Sequence, residues 1–195
     1  MQSIIIDPTS TASWYSLLLD AQKASNTSLI EEIESYLVFL LMRFVQKPEL
    51  ASSVLGLEFI NALQNLSATR QARLQEVGDK CLLLTGLFPE RTQKKQLKMS
   101  YFVHLGQIAY RMLSLSEPKN LAKLYDNLCV QFVPAMDVLQ ATRNITFQKA
   151  KQFFTHLEHW QETGSQQSYQ KMQDLLAKMT PAQQAVLTKL LMQKQ

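Results

Sequence analysis

The stretch Leu74-Gln75-Glu76-Val77-Gly78-Asp79-Lys80-Cys81-Leu82-Leu83-Leu84-Thr85-Gly86-Leu87-Phe88-Pro89 decides how this chain is read. Leu74, Val77, Cys81, Leu84 and Phe88 recur at the three-and-four spacing of one helical face. Two glycines interrupt that stripe, each costing about 1 kcal/mol relative to alanine in a helix. Gly78, Leu82 and Gly86 stand four apart, on neighbouring turns of a similar face. The simplest reason for keeping Gly78 and Gly86 is close approach of another helix, for which a missing side chain leaves room. Asp79 falls inside this apolar helix, and a lone buried charge is expensive. It therefore needs a partner. The candidates are Arg43, which ends an apolar run, and His104, which lies within another.

The same periodicity extends both ways. Upstream, Trp14, Leu17, Leu18 and Ala21 mark a first helix starting near Ser10 or Thr11. Ser28-Leu29-Ile30-Glu31 reads as a capping box opening a second, with a stripe through Ile33, Leu37, Leu40, Leu41 and Phe44. From Tyr36 to Met42 that helix is apolar all round, which places it at the centre of a bundle. After Pro48 a third helix carries Leu55, Phe59, Leu63 and Leu66. Downstream, Pro89 ends the decisive helix and the polar stretch Glu90 to Lys98 reads as a loop. Further helices carry Phe102, Leu105, Ala109 and Met112, then Leu121, Leu124 and Leu128 behind Pro118. Pro134 breaks the pattern and leaves a short helix to about Thr142. Another holds Phe153, Phe154, Leu157 and Trp160, and two Gln-rich helices close the chain.

With 5 Gly and 6 Pro in 195 residues, a β-fold has few turns to work with. The expectation is an all-α protein, a compact multi-helix bundle of eight to ten helices with no sheet. A seam between Val133 and Asn144 divides it into a bundle core, 1–140, and a C-terminal helical extension, 141–195, packed on the core as one continuous unit.

The segment around Gly78, Asp79, Leu82, Gly86, Phe88 and Pro89 resembles the G-D-x-C/A-L-x-x-x-G-x-F-P/G pattern of uncharacterised bacterial helical proteins. The likeness covers roughly residues 29–115 and implies a bacterial origin. It brings no activity with it.

Chemistry-bearing motifs are few. His156 and His159 flank Glu158, but neither an E-x-x-H pair nor an H-E-x-x-H helix occurs. No nucleophile elbow, P-loop or G-x-G-x-x-G is present, and Cys81 and Cys129 form no C-x-x-C pair. No cofactor and no metal is expected. Two isolated thiols fit a reducing, cytoplasmic compartment, and a delivered bacterial effector fits the same sequence. The start lacks a basic leader, and the longest apolar run is far short of the ~20 residues that cross a bilayer.

Charge is uneven. Up to Glu90 there are six Lys/Arg against ten Asp/Glu; beyond it, fourteen against six. Arg91, Lys94, Lys95 and Lys98 form the densest basic run and the candidate surface for an anionic partner. Tyr169, Met172, Met179 and Met192 give the closing helices apolar contacts suited to a partner helix. The expected function is a non-catalytic protein–protein interaction module, a bacterial regulator or adaptor, with self-association as one form of it. The alternatives are a nucleic-acid-associated regulator using the basic loop and C-terminal half, and a small-molecule-binding or enzymatic bundle with a pocket near Arg43, Asp79 and His104.

Overall fold

The computed structural model describes residues 8–47, 55–64, 67–94 and 98–192. Among them are ten helices and no strand: α1 Pro8–Ser25, α2 Glu31–Gln46, α3 Leu55–Leu63, α4 Ser67–Leu87, α5 Pro89–Lys94, α6 Met99–Ser116, α7 Lys119–Val130, α8 Phe132–Thr163, α9 Gln166–Lys178 and α10 Pro181–Met192. The fold is all-α and multi-helical, as the periodicity requires.

The central helix is α4. Every residue from Val77 to Phe88 is buried, polar ones included. Helices α2, α3, α6 and α8 supply contacts to it on different sides. Its glycines are where two of them come closest. A Cβ at Gly78 would stand 2.6 Å from the Tyr110 ring of α6, and one at Gly86 would stand 2.5 Å from the Leu139 Cβ of α8. Between them, Cys81 backs onto Gly106 of α6, where a Cβ would also meet Phe132 at 2.5 Å. Numbers rise along α4 as they fall along α6, so the two are antiparallel.

This corrects the placement of α2 at the centre. Its stripe Ile33, Leu37, Leu41 and Phe44 is buried, but Phe39 is 53% exposed and Tyr36 and Met42 only half-buried. An apolar circumference does not by itself enclose a helix. What admits neighbours on all sides is lack of bulk, and the glycines belong to α4. The capping box is also not formed. Ile30 occupies the cap position of α2 without a side-chain bond, and Ser28 plays no part. The approach to α2 is held instead by Gln22 of α1, whose Oε1 accepts from the Leu29 N–H at 2.8 Å and whose Nε2 donates to Glu34 at 2.9 Å.

Two prolines read as breaks sit where proline is tolerated. Pro89 opens α5, so the expected loop begins as a short helix, with Lys95 outside the described residues. Pro134 lies in the first turn of α8, where its missing N–H would have had no intrahelical partner. The helix then runs unbroken to Thr163, through the expected stop at Thr142 and across residue 140. Buried Thr142 and Thr146 return their hydroxyls to the carbonyls of Val138 and Thr142, at 2.9 and 2.8 Å, so neither interrupts it. Gly164 ends it in the left-handed region, φ 67, with its N–H on the Trp160 carbonyl. α9 folds back along α8, and α10 reaches α1, α2 and α8. There the Ala182 N–H donates to Ser13 Oγ at 3.2 Å, and Ala182 and Val186 join the main core.

Candidate functional site

Asp79 is buried on α4 and two helices send three donors to it. Tyr36 Oη (α2) donates to Oδ1 at 2.5 Å, Tyr110 Oη (α6) donates to the same oxygen at 2.7 Å, and Arg43 Nη2 (α2) donates to Oδ2. Gln75 Nε2, one turn back on α4, donates to Tyr36 Oη at 3.3 Å. Burial pushes the Asp79 carboxyl above its usual range, and Arg43 and the two phenols pull it back down. Arg43 and the two phenol hydroxyls favour the charged form, against the burial that opposes it. Burial and the Asp79 charge also raise both Tyr36 and Tyr110 well above an ordinary tyrosine. Arg43 is half-buried, its side chain 41% exposed, so the ion pair runs from the interior to the surface.

The glycine beside Asp79 belongs to this arrangement. Gly78 lets the Tyr110 ring lie against the α4 backbone, and Tyr125 of α7 stacks on its far side with centroids 6.0 Å apart. Gly78 and Asp79 therefore do one job together: the first admits the ring, the second receives its hydroxyl. Of the pocket candidates, Arg43 and Asp79 meet and His104 does not join them. His104 is exposed on α6. It lies six residues from Tyr110, about 120° around the helix, on the face turned from α4. The three residues therefore do not form the expected pocket, and both oxygens of Asp79 are already engaged within the protein.

A second buried charge follows at once. Lys80 Nζ reaches Glu76 on its own helix at 2.8 Å and Glu58 of α3 at 3.0 Å. Burial pushes its pKa down, but the two carboxylates outweigh that and hold it above an ordinary lysine. With Asn61, Arg73 and Val77 these side chains line a half-open cavity of about 250 Å³. Nothing in the sequence marked Lys80 as buried.

The other chemical candidates separate in space. Cys81 is buried and Cys129 half-buried, both free, and burial raises both thiols, which disfavours the reactive thiolate. His159 Nδ1 lies 2.5 Å from the buried Ser168 Oγ and ties α8 to α9. Among the described residues no three His, Cys, Asp or Glu side chains gather as a metal site. No helix among them is long and apolar enough to cross a membrane. In the basic run, Arg91 lies over the Phe88 ring at 4.6 Å and Lys98 is exposed, while the side chains of Lys94 and Lys95 lie outside the described residues. On the closing helices Met172 and Met179 are buried and Tyr169 is exposed; the Met192 side chain is outside the described set. The two buried methionines are thus part of the fold's interior and offer no surface to a partner.

What the outer surface does offer is a row along α6. Tyr101, Ile108 and Leu115 stand seven apart, and Ile108 and Leu115 are 49% and 80% exposed. Exposed His104 and Arg111 flank the row, and α6 contains no Asp or Glu. Set against family models, curated proteins and solved structures, the chain matches none.

Proposed function

We propose that this chain is a non-catalytic helical module, a regulator or adaptor, that works by docking a helix of another protein along the outward face of α6. The observation that carries the reading is the row Tyr101, Ile108, Leu115. Large apolar residues recur there at heptad spacing, with Ile108 and Leu115 turned outward, which supports a helix packing along them. The spacing asks for an amphipathic helix, the partner type that reads a groove through anchors one and two turns apart. The flanking Arg111 is already ion-paired with Asp126 of α7, so the apolar row carries the docking. The self-contained hydrogen bonding of Asp79 and Lys80 supports a structural role for both charges. The free thiols accord with a cytoplasmic setting.

The test is crosslinking of the full chain in native extract, read at Lys98 and Lys119, which bracket the row. The expected result is a partner whose crosslinks concentrate at these two lysines and whose capture is lost in Ile108→Asp/Leu115→Asp, with helical circular dichroism unchanged. A partner retained by that variant, or none crosslinked at α6, overturns the reading.

A further inference from the structure

We infer that the hairpin made by the end of α8 and by α9 is a dimerisation surface, where a second copy of this chain completes a four-helix bundle, away from α6. Between Lys151 and Lys178 only Ser168 and Met172 are buried. The same stretch carries Phe153, Phe154, Leu157, Trp160, Tyr169 and Leu176. Phe154, Tyr169 and Leu176 are 42%, 40% and 39% exposed, and the other three are half-buried. α9 packs along α8, and the chain then turns at buried Met179 into α10, which leaves for α1 and α2. Helices of this length draw their stability from a packed face rather than from propensity. Two buried side chains do not make one, so a layer is missing.

The open side chains share one side of the hairpin. The Trp160 and Tyr169 rings, with centroids 5.4 Å apart, mark that side next to the Gly164 turn. One heptad back along each helix stand Phe153 and Leu176, each within about 20° of the same direction. Leu157 and Met172 fill the intervals. Both helices thus repeat apolar residues at three- and four-residue steps, as helices of a bundle do. Each stripe is covered along one edge alone, by the other helix.

The charges indicate what covers the rest. Lys171, Asp174 and Lys178 lie roughly 140° or more around α9 from Tyr169 and Leu176, and Lys151 and Glu162 roughly 120° or more around α8 from Leu157. Glu158 stands at the rim beside Phe154. What borders the apolar side is exposed Gln161, Gln166 and Gln173, whose amides both donate and accept and so can pair with their own kind. An uncharged face selects no oppositely charged partner and meets an identical face without repulsion. A two-helix layer is also self-complementary in shape, because a twofold axis supplies the two helices that a four-helix bundle needs. Faces about 20 Å long and two helices wide bury roughly 1,000 Å² in total, the small end of specific interfaces, which makes the dimer reversible.

The experiment is sedimentation equilibrium of the full chain from roughly 1 to 200 μM, with amide hydrogen exchange at both ends of that range. The 22.3 kDa monomer should give way to a species of twice the mass, and exchange between residues 151 and 178 should slow as it does. Leu176→Glu and, separately, Phe154→Glu replace exposed side chains. Each should leave helical circular dichroism unchanged and weaken dimerisation by roughly thirtyfold, the loss of one interface anchor. Lys171→Glu, on the opposite side of α9, and Ile108→Asp on α6 should leave the dimer as it was. A monomer at every concentration overturns the inference, as does a dimer unaffected by the two hairpin variants or equally weakened by Lys171→Glu. A dimer abolished by Ile108→Asp, with hairpin exchange unchanged, places the second copy on α6 instead.

Discussion

Replacing Gly78 by alanine sets two effects of opposite sign against each other, and the structure decides which prevails. In an ordinary helix the change stabilises by about 1 kcal/mol. Here the new methyl would stand 2.6 Å from Tyr110 Cε1 and 2.9 Å from Cδ1 and Cζ, where ordinary contact begins at 3.4 Å. The ring has to retreat by about 0.8 Å, and it has little freedom to do so. Tyr110 is fully buried, has Tyr125 and Phe132 at 6.0 and 6.1 Å, and donates to Asp79 at 2.7 Å. Forcing a methyl into a filled core costs about 1–3 kcal/mol. Losing a hydrogen bond to a charged group adds about 1.5 kcal/mol. Against the helix-propensity gain, the balance is a destabilisation of about 1.5–3.5 kcal/mol. For a chain of this length that lowers the melting temperature by roughly 3–14 °C. Thermal and urea unfolding followed by circular dichroism at 222 nm measure it. A Gly78→Ala protein melting at or above the wild-type temperature would refute the account of why this helix carries glycine.

Two further perturbations address the same cluster. Asp79→Ala leaves two buried phenols without their acceptor and Arg43 without its counter-charge; because Arg43 can reach water, the expected loss is about 3 kcal/mol. Combining it with Tyr110→Phe should cost clearly less than the two single losses added, and strict additivity in urea unfolding would show that the two side chains are not coupled. Alkaline titration tests the phenols themselves. Tyr36 and Tyr110 lie well above an ordinary tyrosine and Tyr125 is pushed up to about 12. An acid whose folded pKa is raised keeps its proton in the native state while the unfolded chain releases it. Stability is therefore complete below about pH 10 and is lost as the pH climbs from there through the folded values. Part of the phenolate absorbance at 295 nm should appear only together with loss of helix; all six tyrosines ionising near pH 10 with helicity intact would contradict the buried network.

The helical class, the approximate element count and the need of Asp79 for a partner, with Arg43 one of two candidates, were legible because each follows from local spacing or from the cost of an isolated charge. Tyr36 and Tyr110 were not. An aromatic at helical spacing looks the same whether it fills space or turns a hydroxyl to a carboxylate, and only the crossing of α2 and α6 over α4 distinguishes them. His104 failed for a related reason: lying within an apolar run does not say which side of the helix a residue occupies. Pro89 does end α4, but the stretch after it was read as loop, and Pro134 was read as a break, because a proline that ends one helix and one that starts the next leave the same mark. Gly106, against Phe132 and Cys81, carried no mark at all, since a single glycine gives no spacing to read.

The bond between Ser13 and Ala182 joins residues 169 apart, and α10 closes against α1 and α2. During synthesis, at about 5–20 residues per second, the first two helices emerge roughly 8–34 s before their last neighbour exists. For that interval they have to wait with a surface meant for α10 uncovered. A slow ribosome lengthens the wait, and a stall before residue 181 makes it indefinite. Nascent chains halted there should be the species that chaperones hold and proteases clear.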